Sequence, residues 1–348
     1  TFNCSKTHAM EIMTFLAEWN PPANFHFEIS ADLLDQEMLR FLHGVPPGLF
    51  QFEVGVQSTN PNTLELIQRR TDLERLENNV RAISGGGNIM QLLDLIAGLP
   101  GEDYNSFARS FNQVYSWGAD KLQLGFLKLL KGSGVRGKAE EWGYKFTSTP
   151  PYRVLSNNWL SYPELLKLQV IEDLVDKFFN SGRFKKSLDF LVGEYRENPF
   201  AFFEALASFW EDKGYHRKAI NAKVLYDLVL EFYRARQGDS QEDLIQLLKF
   251  DYLLWEKPTR IPEWFSSYEI PFFKERADNV FREGLLKFMP QLSQVSRREL
   301  NKFFHLEAFD SRLASKLDIP FPPETGEPLY LLFYYPGQFI KATRPGYI

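Results

Sequence analysis

Apolar and polar residues alternate one by one along residues 50–58, the clearest pattern in the chain. The apolar positions are Phe50, Phe52, Val54 and Val56, and the positions between them are Gln51, Glu53, Gly55 and Gln57. Because successive side chains of a strand point to opposite faces, this predicts a strand whose apolar face packs against helices. The opposite face carries a carboxylate, a glycine and amides. We expect it to line a ligand site at the carboxyl end of the strand, where α/β proteins bind their ligands.

The first 150 residues alternate between strand and helix patterns, which predicts a parallel sheet. Strands are predicted at residues 25–29, 50–58, 89–96 and 121–127. Helices are predicted at residues 6–19, 32–43, 62–68, 73–84, 102–117 and 135–142. Four parallel strands are too few to close a barrel. The predicted fold class is therefore α/β, with a partial (β/α) barrel of about four parallel strands and flanking helices over residues 1–150.

The pattern changes after residue 150, where apolar residues recur at helical spacing. Helices are predicted at residues 161–180, 186–197, 201–213, 218–236, 241–254, 271–288 and 296–306. We therefore expect a mostly α-helical C-terminal domain over residues 151–348. It should end in a short β-hairpin at about 329–343, with strands at 329–335 and 339–343 around a Pro-Gly turn.

The composition narrows the classes of partner and compartment. The formal net charge of −5 lacks the basic excess that neutralises phosphates, so no nucleic-acid partner is expected. No apolar run approaches the ~20 residues that span a bilayer, so no membrane segment is expected. The one cysteine, Cys4, rules out a disulfide framework and any cysteine-ligated cluster built from this chain alone. A reducing, cytoplasmic setting fits this composition.

Four polar residues lie within or at the carboxyl ends of the predicted parallel strands. They are Glu28, Glu53, Gln57 and Asp94. A lone buried carboxylate is costly unless it is paired or hydrogen-bonded, so three carboxylates in adjacent strands suggest a shared polar ligand or a cation. The alternative is a structural network that a lysine or arginine of the next strand closes.

Two arginines, Arg69 and Arg70, follow Gln57 across one predicted helix. Either can turn back over the strand end and meet a carboxylate, and the alternative is an exposed charge at the end of the helix. The five histidines show neither His-x-x-x-His nor Glu-x-x-His spacing. We therefore predict no metal-binding residues in this chain.

Four segments resemble, in order and spacing, the middle and later barrel strands of radical S-adenosylmethionine (radical SAM) enzymes. They are Phe27-Glu28-Ile29, Glu53-x-Gly55-x-Gln57-Ser58, Ile67-Gln68-Arg69 and the run from Leu92 to Glu102 that contains Asp-Leu-Ile-Ala-Gly-Leu-Pro-Gly-Glu. The resemblance covers about residues 1–145. The order and spacing of the four segments resemble the oxygen-independent coproporphyrinogen oxidase and methylthiotransferase branches of the family. Residues 1–3 resemble the end of the strand that follows the cluster-binding loop in cobalamin-dependent members. The helical tail resembles the C-terminal domain of anaerobic magnesium-protoporphyrin monomethyl ester cyclase-like proteins.

The resemblance implies a set of cofactor-binding residues. They are Glu28, Gln57, Ser58, Arg69, Asp94, Ile96 and Gly98. Glu28 would contact the methionyl amino group of S-adenosylmethionine, and Gln57 and Arg69 would contact its ribose and carboxylate region. Asp94 would lie by the ribose hydroxyls, and the backbone from Ile96 to Gly98 would flank the adenine.

One departure from that family is large, because its Cys-x-x-x-Cys-x-x-Cys loop is missing and Cys4 cannot replace it. We therefore expect the chain to be the C-terminal part of a radical SAM enzyme, beginning inside the barrel and inactive by itself. The full-length enzyme would reductively cleave S-adenosylmethionine at a 4Fe-4S cluster, as an iron–sulfur oxidoreductase, a cyclase-like enzyme or a methyltransferase-like enzyme. Its substrate would be an unidentified small molecule, and cobalamin is a further candidate cofactor in the missing N-terminal part.

Two other functions remain open at this point. The chain could be a non-catalytic binding or scaffold module whose helical domain docks a partner, or another α/β barrel enzyme that uses the same carboxylates with a metal. Independently of function, we expect self-association through the open edge of the truncated sheet, because an unpaired edge strand is a template for pairing.

Overall fold

Two groups of residues make contacts mainly among themselves. In the computed structural model, residues 1–236, 241–258, 262–267, 285, 287, 289–319, 327–336 and 346–347 are described. The first compact unit comprises residues 1–180 and 195–216, and the second comprises residues 181–194 and 217–348. These units are defined by spatial contacts, so the predicted domain boundary near residue 150 stays a prediction.

A four-stranded parallel sheet organises the first unit. Its strands are β1 (Phe25–Ile29), β2 (Phe50–Gln57), β3 (Met90–Ala97) and β4 (Lys121–Phe126), in the order β1-β2-β3-β4. All three neighbouring pairs run parallel. The predicted α/β class with about four parallel strands is confirmed.

Helices connect the strands and begin at polar capping residues. They are α1 (Lys6–Trp19), α2 (Gln36–His43), α3 (Pro61–Leu66), α4 (Leu73–Gly86) and α5 (Tyr104–Tyr115). Asp35, Asn60, Asp72 and Asp103 cap α2 to α5, each by accepting a hydrogen bond from a backbone N–H of the first turn. Helix α4 ends at Gly87, whose φ of 63° lies in the left-handed region that favours glycine.

The alternation in β2 separates the core of the first unit from a polar face. Phe50, Phe52, Val54 and Val56 are all fully buried, as the sequence predicts. Helices α4 and α5 pack against β3. Their buried apolar side chains are Leu76, Val80 and Ile83 of α4 and Phe107, Phe111 and Val114 of α5. The intervening residues of β2 are only partly buried, and they form the opposite face of the sheet.

The remaining elements of the first unit follow β4. They are α6 (Gly134–Gly137), the antiparallel pair β5 (Lys145–Phe146) and β6 (Val154–Ser156), and α7 (Tyr162–Leu174), which continues as a π-helical segment over Val175–Asn180. After α8 (Lys185–Gly193), which belongs to the second unit, α9 (Pro199–Asp212) completes the first unit. Apolar residues of α7 at helical spacing are buried.

The second unit is mostly helical and contains one antiparallel sheet. Besides α8, its helices are α10 (Val224–Ala235), α11 (Gln241–Trp255) and α12 (Arg297–Leu300). The sheet has the order β7 (Phe304–Phe309), β8 (Leu329–Tyr334) and β9 (Gly346–Tyr347). The predicted helical C-terminal region with a short antiparallel hairpin is confirmed. The partner strand predicted at 339–343 lies outside the described residues, as does almost all of the helix predicted at 271–288.

Three local predictions are wrong. The helix predicted at 296–306 contains only Arg297–Leu300, because the following residues pair with β8 as β7. The helix predicted at 135–142 is a single turn, Gly134–Gly137. Residues 1–3 do not form the tail of a strand: Phe2–Cys4 is a 3₁₀ turn in which the Asn3 side chain makes two hydrogen bonds to the backbone of Ser30.

A buried aspartate anchors the second unit. Helix α8 has no side-chain cap of its own. Instead Asp251 of α11 accepts hydrogen bonds from the backbone N–H groups of Lys186 and Ser187, at 3.1 and 2.8 Å, and from the Ser187 hydroxyl at 2.6 Å. Because orphan N–H groups at a helix start must be satisfied, this one carboxylate joins the two helices.

We expect Asp251→Ala to destabilise the second unit by about 2–4 kcal/mol, because three donors, two of them fully buried, would lose their acceptor. The measurement is chemical denaturation combined with hydrogen–deuterium exchange of the α8 amides. Asp243→Ala is the matched control on the same helix, since its partly exposed ion pair with Lys316 is worth about 0–1 kcal/mol. Equal protection of α8 in the two variants would contradict the assigned role.

Candidate functional site

The strand register gathers three carboxylates on the polar face of the first unit's sheet. Glu28 lies opposite Glu53 in the β1–β2 pair, and Gly55 lies opposite Asp94 in the β2–β3 pair. Residues that are paired in a parallel sheet point to the same face, so Glu28, Glu53 and Asp94 share one surface. His26 Nε2 lies 3.0 Å from Glu53 Oε2. No lysine or arginine among the described residues forms an ion pair with these three carboxylates.

Asp94 is the most perturbed group of this surface. Burial, followed by the negative charge of Glu53, a side-chain hydrogen bond with Glu53 and the charge of Glu28, raises the pKa of Asp94 to about 7. Its Oδ1 atom is buried and has no hydrogen-bond partner among the described residues. A carboxylate oxygen without a partner is an acceptor that a ligand hydroxyl or ammonium group can satisfy.

Arg69 turns back over the end of β2 but meets a backbone carbonyl and not a carboxylate. Its Nη2 atom donates a hydrogen bond to the carbonyl oxygen of Gly55, and its Nε atom is buried without a partner in the described part of the chain. Burial lowers the pKa of Arg69, which the charge of Asp32 opposes. An arginine remains protonated at neutral pH, so the site keeps a guanidinium with a free donor.

Strand β2 ends in a bulge, and the Gln57 side chain lies over Gly55 of the same strand. The register of the β2–β3 pair shifts between Gly55 and Gln57, and Gln57 has a φ of 73°. A Cβ atom added at Gly55 would lie 2.5 Å from Gln57 Nε2 and 3.7 Å from Arg69 Nη2. Because Gly55 has no side chain, the Gln57 amide and the Arg69 guanidinium can both lie close to its Cα atom.

Ile96 and Gly98 lie where β3 ends. Ile96 lines an open cleft of about 580 Å³ beside residues of β4. Gly98 has a φ of 93°, and its carbonyl oxygen accepts hydrogen bonds from the Tyr144 hydroxyl at 2.8 Å and from Asn157 Nδ2 at 3.0 Å. The backbone after β3 is thus held in a conformation that only glycine adopts readily.

Ser58 belongs to a fully buried network. Its hydroxyl donates to Glu102 Oε1 at 2.6 Å, and the Ser110 hydroxyl donates to the same oxygen at 2.8 Å. Burial raises the pKa of Glu102, and the two serine hydrogen bonds oppose that rise. The backbone N–H of Asn60 donates to the Ser58 hydroxyl at 3.0 Å. This network fixes the turn that follows Gln57.

The structure thus brings Glu28, Gln57, Arg69 and Asp94 to one face of the sheet or its carboxyl end. Glu102 is the last residue of the run from Leu92 that carries the resemblance, but no role was predicted for it. Its hydrogen bond with Ser58 joins residues 44 positions apart, which local patterns do not contain. In the described part of the chain, no group of three His, Cys, Asp or Glu residues could hold a metal ion. Cys4 is exposed and free.

The arrangement offers acceptors, an amide and a guanidinium around a shallow polar surface. Such a set can bind a molecule that carries both an ammonium or hydroxyl group and a carboxylate, with the guanidinium opposite the carboxylate.

None of the described helices is long and apolar enough to pass through a membrane.

The C-terminal half of the chain defines its family. The chain belongs to the family described as "Protein of unknown function (DUF4080)", whose pattern matches residues 140–320. No curated protein matches the sequence at a significant level.

Several solved structures are similar over part of the chain. The radical S-adenosylmethionine methyltransferase TsrM from Kitasatospora setae is 16% identical over 43% of this chain and 32% of its own, with a TM-score of 0.36. Coproporphyrinogen III oxidase (HemN) from Escherichia coli, described as a radical SAM enzyme, is 18% identical over 48% of this chain and 43% of its own, with a TM-score of 0.32. Elp3 from Methanocaldococcus infernus is 17% identical over 33% of this chain and 27% of its own, with a TM-score of 0.29.

The chain therefore spans less than half the length of each of these three proteins.

The perturbed Asp94 predicts a specific pH dependence. The folded state holds the Asp94 proton up to about pH 7, whereas the unfolded state releases it near pH 4. Between these values the folded state binds more protons, so the free energy of unfolding should fall as pH rises from about 4 to about 7. The Asp94→Asn variant has no carboxyl group to ionise, so its free energy of unfolding should not fall in this way. At pH 8 the variant should be more stable than the wild type, by on the order of 1 kcal/mol after screening by solvent.

Denaturation of both proteins at pH 4.5 and pH 8 measures the difference. The control is Glu65→Gln, which removes one carboxylate from the exposed surface of α3. An Asp94→Asn difference that does not change between the two pH values would contradict the environment described for this carboxyl group.

Proposed function

We propose that this chain is the C-terminal part of a radical SAM enzyme and that the polar face of its sheet binds S-adenosylmethionine. The observation that carries the proposal is the buried, unpartnered Oδ1 of Asp94 beside two further carboxylates and a turned-back arginine. Nothing among the described residues neutralises these carboxylates with lysine or arginine, so the proposal explains why they lie together.

The residues present fit S-adenosylmethionine. Glu28 would accept hydrogen bonds from the methionyl ammonium group, and Asp94 Oδ1 would accept from a ribose hydroxyl. The partner-free Nε of Arg69 and the amide of Gln57 would donate to the carboxylate and ribose region. The space beside Gly55 supports this assignment, because any side chain there would displace the Gln57 amide. The backbone from Ile96 to Gly98 would flank the adenine.

The residues present do not fit an iron–sulfur cluster. A 4Fe-4S cluster is held by cysteine thiolates, and this chain has the single cysteine Cys4. The ligands would have to come from outside the 348 residues, and no chemical step can be assigned to this chain alone. What the chain itself would do is bind and orient the adenosyl cofactor.

We further infer that the complete protein acts on a small-molecule substrate in a reducing, cytoplasmic setting, as an oxidoreductase, a cyclase-like or a methyltransferase-like enzyme. The single cysteine supports the compartment. Cobalamin is part of this proposal as a further cofactor outside the chain. The resemblance of the helical tail to anaerobic magnesium-protoporphyrin monomethyl ester cyclase-like proteins is the basis for that part.

Binding of S-adenosylmethionine to the protein, measured by isothermal titration calorimetry, tests the proposal. Asp94→Asn and Glu28→Gln should each weaken the affinity about tenfold, because each removes one charge-assisted hydrogen bond. Gln51→Ala is the control, since Gln51 lies on the same strand face at the amino end of β2. Circular dichroism shows whether each variant keeps the fold. Affinity that is unchanged in both site variants would refute the assignment.

We also propose that the chain self-associates through β1, the edge strand with which no described strand pairs on its outer side. Sedimentation velocity should show a weight-average mass that rises with concentration, and Phe25→Lys should reduce this rise by placing a charge on the edge strand. A monodisperse monomer at all concentrations would count against this proposal.

A further inference from the structure

The cleft beside Ile96 lies at the carboxyl ends of β3 and β4. Its volume is about 580 Å³, and its lining includes Gly125, Phe126, Lys128 and Arg153 together with Ile96. No acidic residue contributes to the lining. The cleft therefore combines apolar and aromatic walls with two positive charges and no compensating negative charge.

The two cations of the cleft are held directly opposite each other. Lys128 and Arg153 form an antiparallel bridge, and the chain continues this pairing on both sides through hydrogen bonds from Leu129 to Tyr152 and from Val154 to Leu127. Directly opposite residues of an antiparallel pair have neighbouring side chains on one face. Like charges in this position repel each other and are destabilising unless an anion lies between them.

Neither cation is neutralised within the described residues. The side chains of Lys128 and Arg153 are exposed and form no ion pair and no side-chain hydrogen bond there. The guanidinium carbon of Arg153 lies 6.0 Å from the centre of the Phe126 ring. The charge of Arg153 lowers the pKa of Glu172, but less than burial and the charges of Asp176 and Asp173 raise it.

Two other cations lie near this cleft, and one of them, Arg136, is already engaged in a hydrogen bond. Arg136 stacks on Tyr152 at 4.7 Å and donates to the carbonyl oxygen of Leu129 at 2.7 Å. Lys131 lies 5.9 Å from the centre of the Tyr152 ring. Among the residues that line the cleft, the positive charges are those of Lys128 and Arg153.

We propose that Lys128 and Arg153 bind an anionic group, a carboxylate or a phosphate, of the substrate. The fork of an arginine matches the two oxygens of either group, and a lysine adds a point charge. This inference rests on the proposed function only in identifying the anion as part of the substrate. In the cleft, the anion would lie beside Ile96, next to the region proposed for the adenosyl group.

The test uses two probes, inorganic phosphate and succinate, each titrated into the protein at constant ionic strength. Backbone amide signals of Gly125, Lys128 and Arg153 in ¹H–¹⁵N TROSY spectra should shift and saturate. Arg153→Gln and Lys128→Gln should each weaken the affinity about tenfold. The melting temperature should rise with the anion in the wild type and much less in Arg153→Gln. Arg153→Lys, which keeps the charge, should retain part of the binding.

Lys121→Gln is the matched control, because it removes the same charge at the amino end of β4 and should leave anion binding unchanged. Tighter binding of phosphate would indicate a phosphate-bearing substrate, and tighter binding of succinate a carboxylate-bearing one. Shifts that do not saturate with either probe, or that weaken equally in Lys121→Gln, would overturn the proposal.

Parallel titration with S-adenosylmethionine separates this inference from the proposed function. Anion binding without S-adenosylmethionine binding would overturn the proposed function and leave the anion site standing. S-adenosylmethionine binding without anion binding would overturn the anion site alone.

Discussion

The pairing register between β2 and β3 determines where each polar group of the candidate site lies. Gly55 lies opposite Asp94, so the carboxylates of three neighbouring strands share one face. The same register buries Phe52 and Val54 on the other face. A shift of one residue would move the apolar side chains out of the core and the carboxylates into it. Burial of the apolar face therefore enforces the geometry of the polar face.

This arrangement keeps negative charge together without a compensating lysine or arginine in the described residues. Arg69, the nearest candidate, is directed to the carbonyl oxygen of Gly55 and not to a carboxylate. Asp94 responds with a pKa of about 7, because burial and neighbouring charge both disfavour its ionised form. A surface of this kind is stabilised by a ligand that supplies ammonium or hydroxyl donors, and groups with perturbed pKa values are often found at functional sites.

Element boundaries were predictable where local signals agreed. Helix α1 and strand β1 begin and end at the predicted residues, because periodicity, caps and turn residues all point to the same structure. The prediction failed at 304–309, where apolar residues are compatible with a helix and only pairing with β8 selects a strand. Strand formation depends on a partner that lies 20 to 30 residues away, which local patterns do not contain.

The sequence by itself determined which face of β2 is polar, since alternation requires nothing beyond the chain. It thus indicated Glu28, Gln57, Arg69 and Asp94 as neighbours. Only the tertiary structure decided that Ser58 bonds to Glu102 in the core and that Lys128 lies opposite Arg153. These contacts join residues 44 and 25 positions apart, respectively. Their geometry follows from how loops and helices pack, and side-chain hydrogen bonds and like-charge pairs form only after that packing is set.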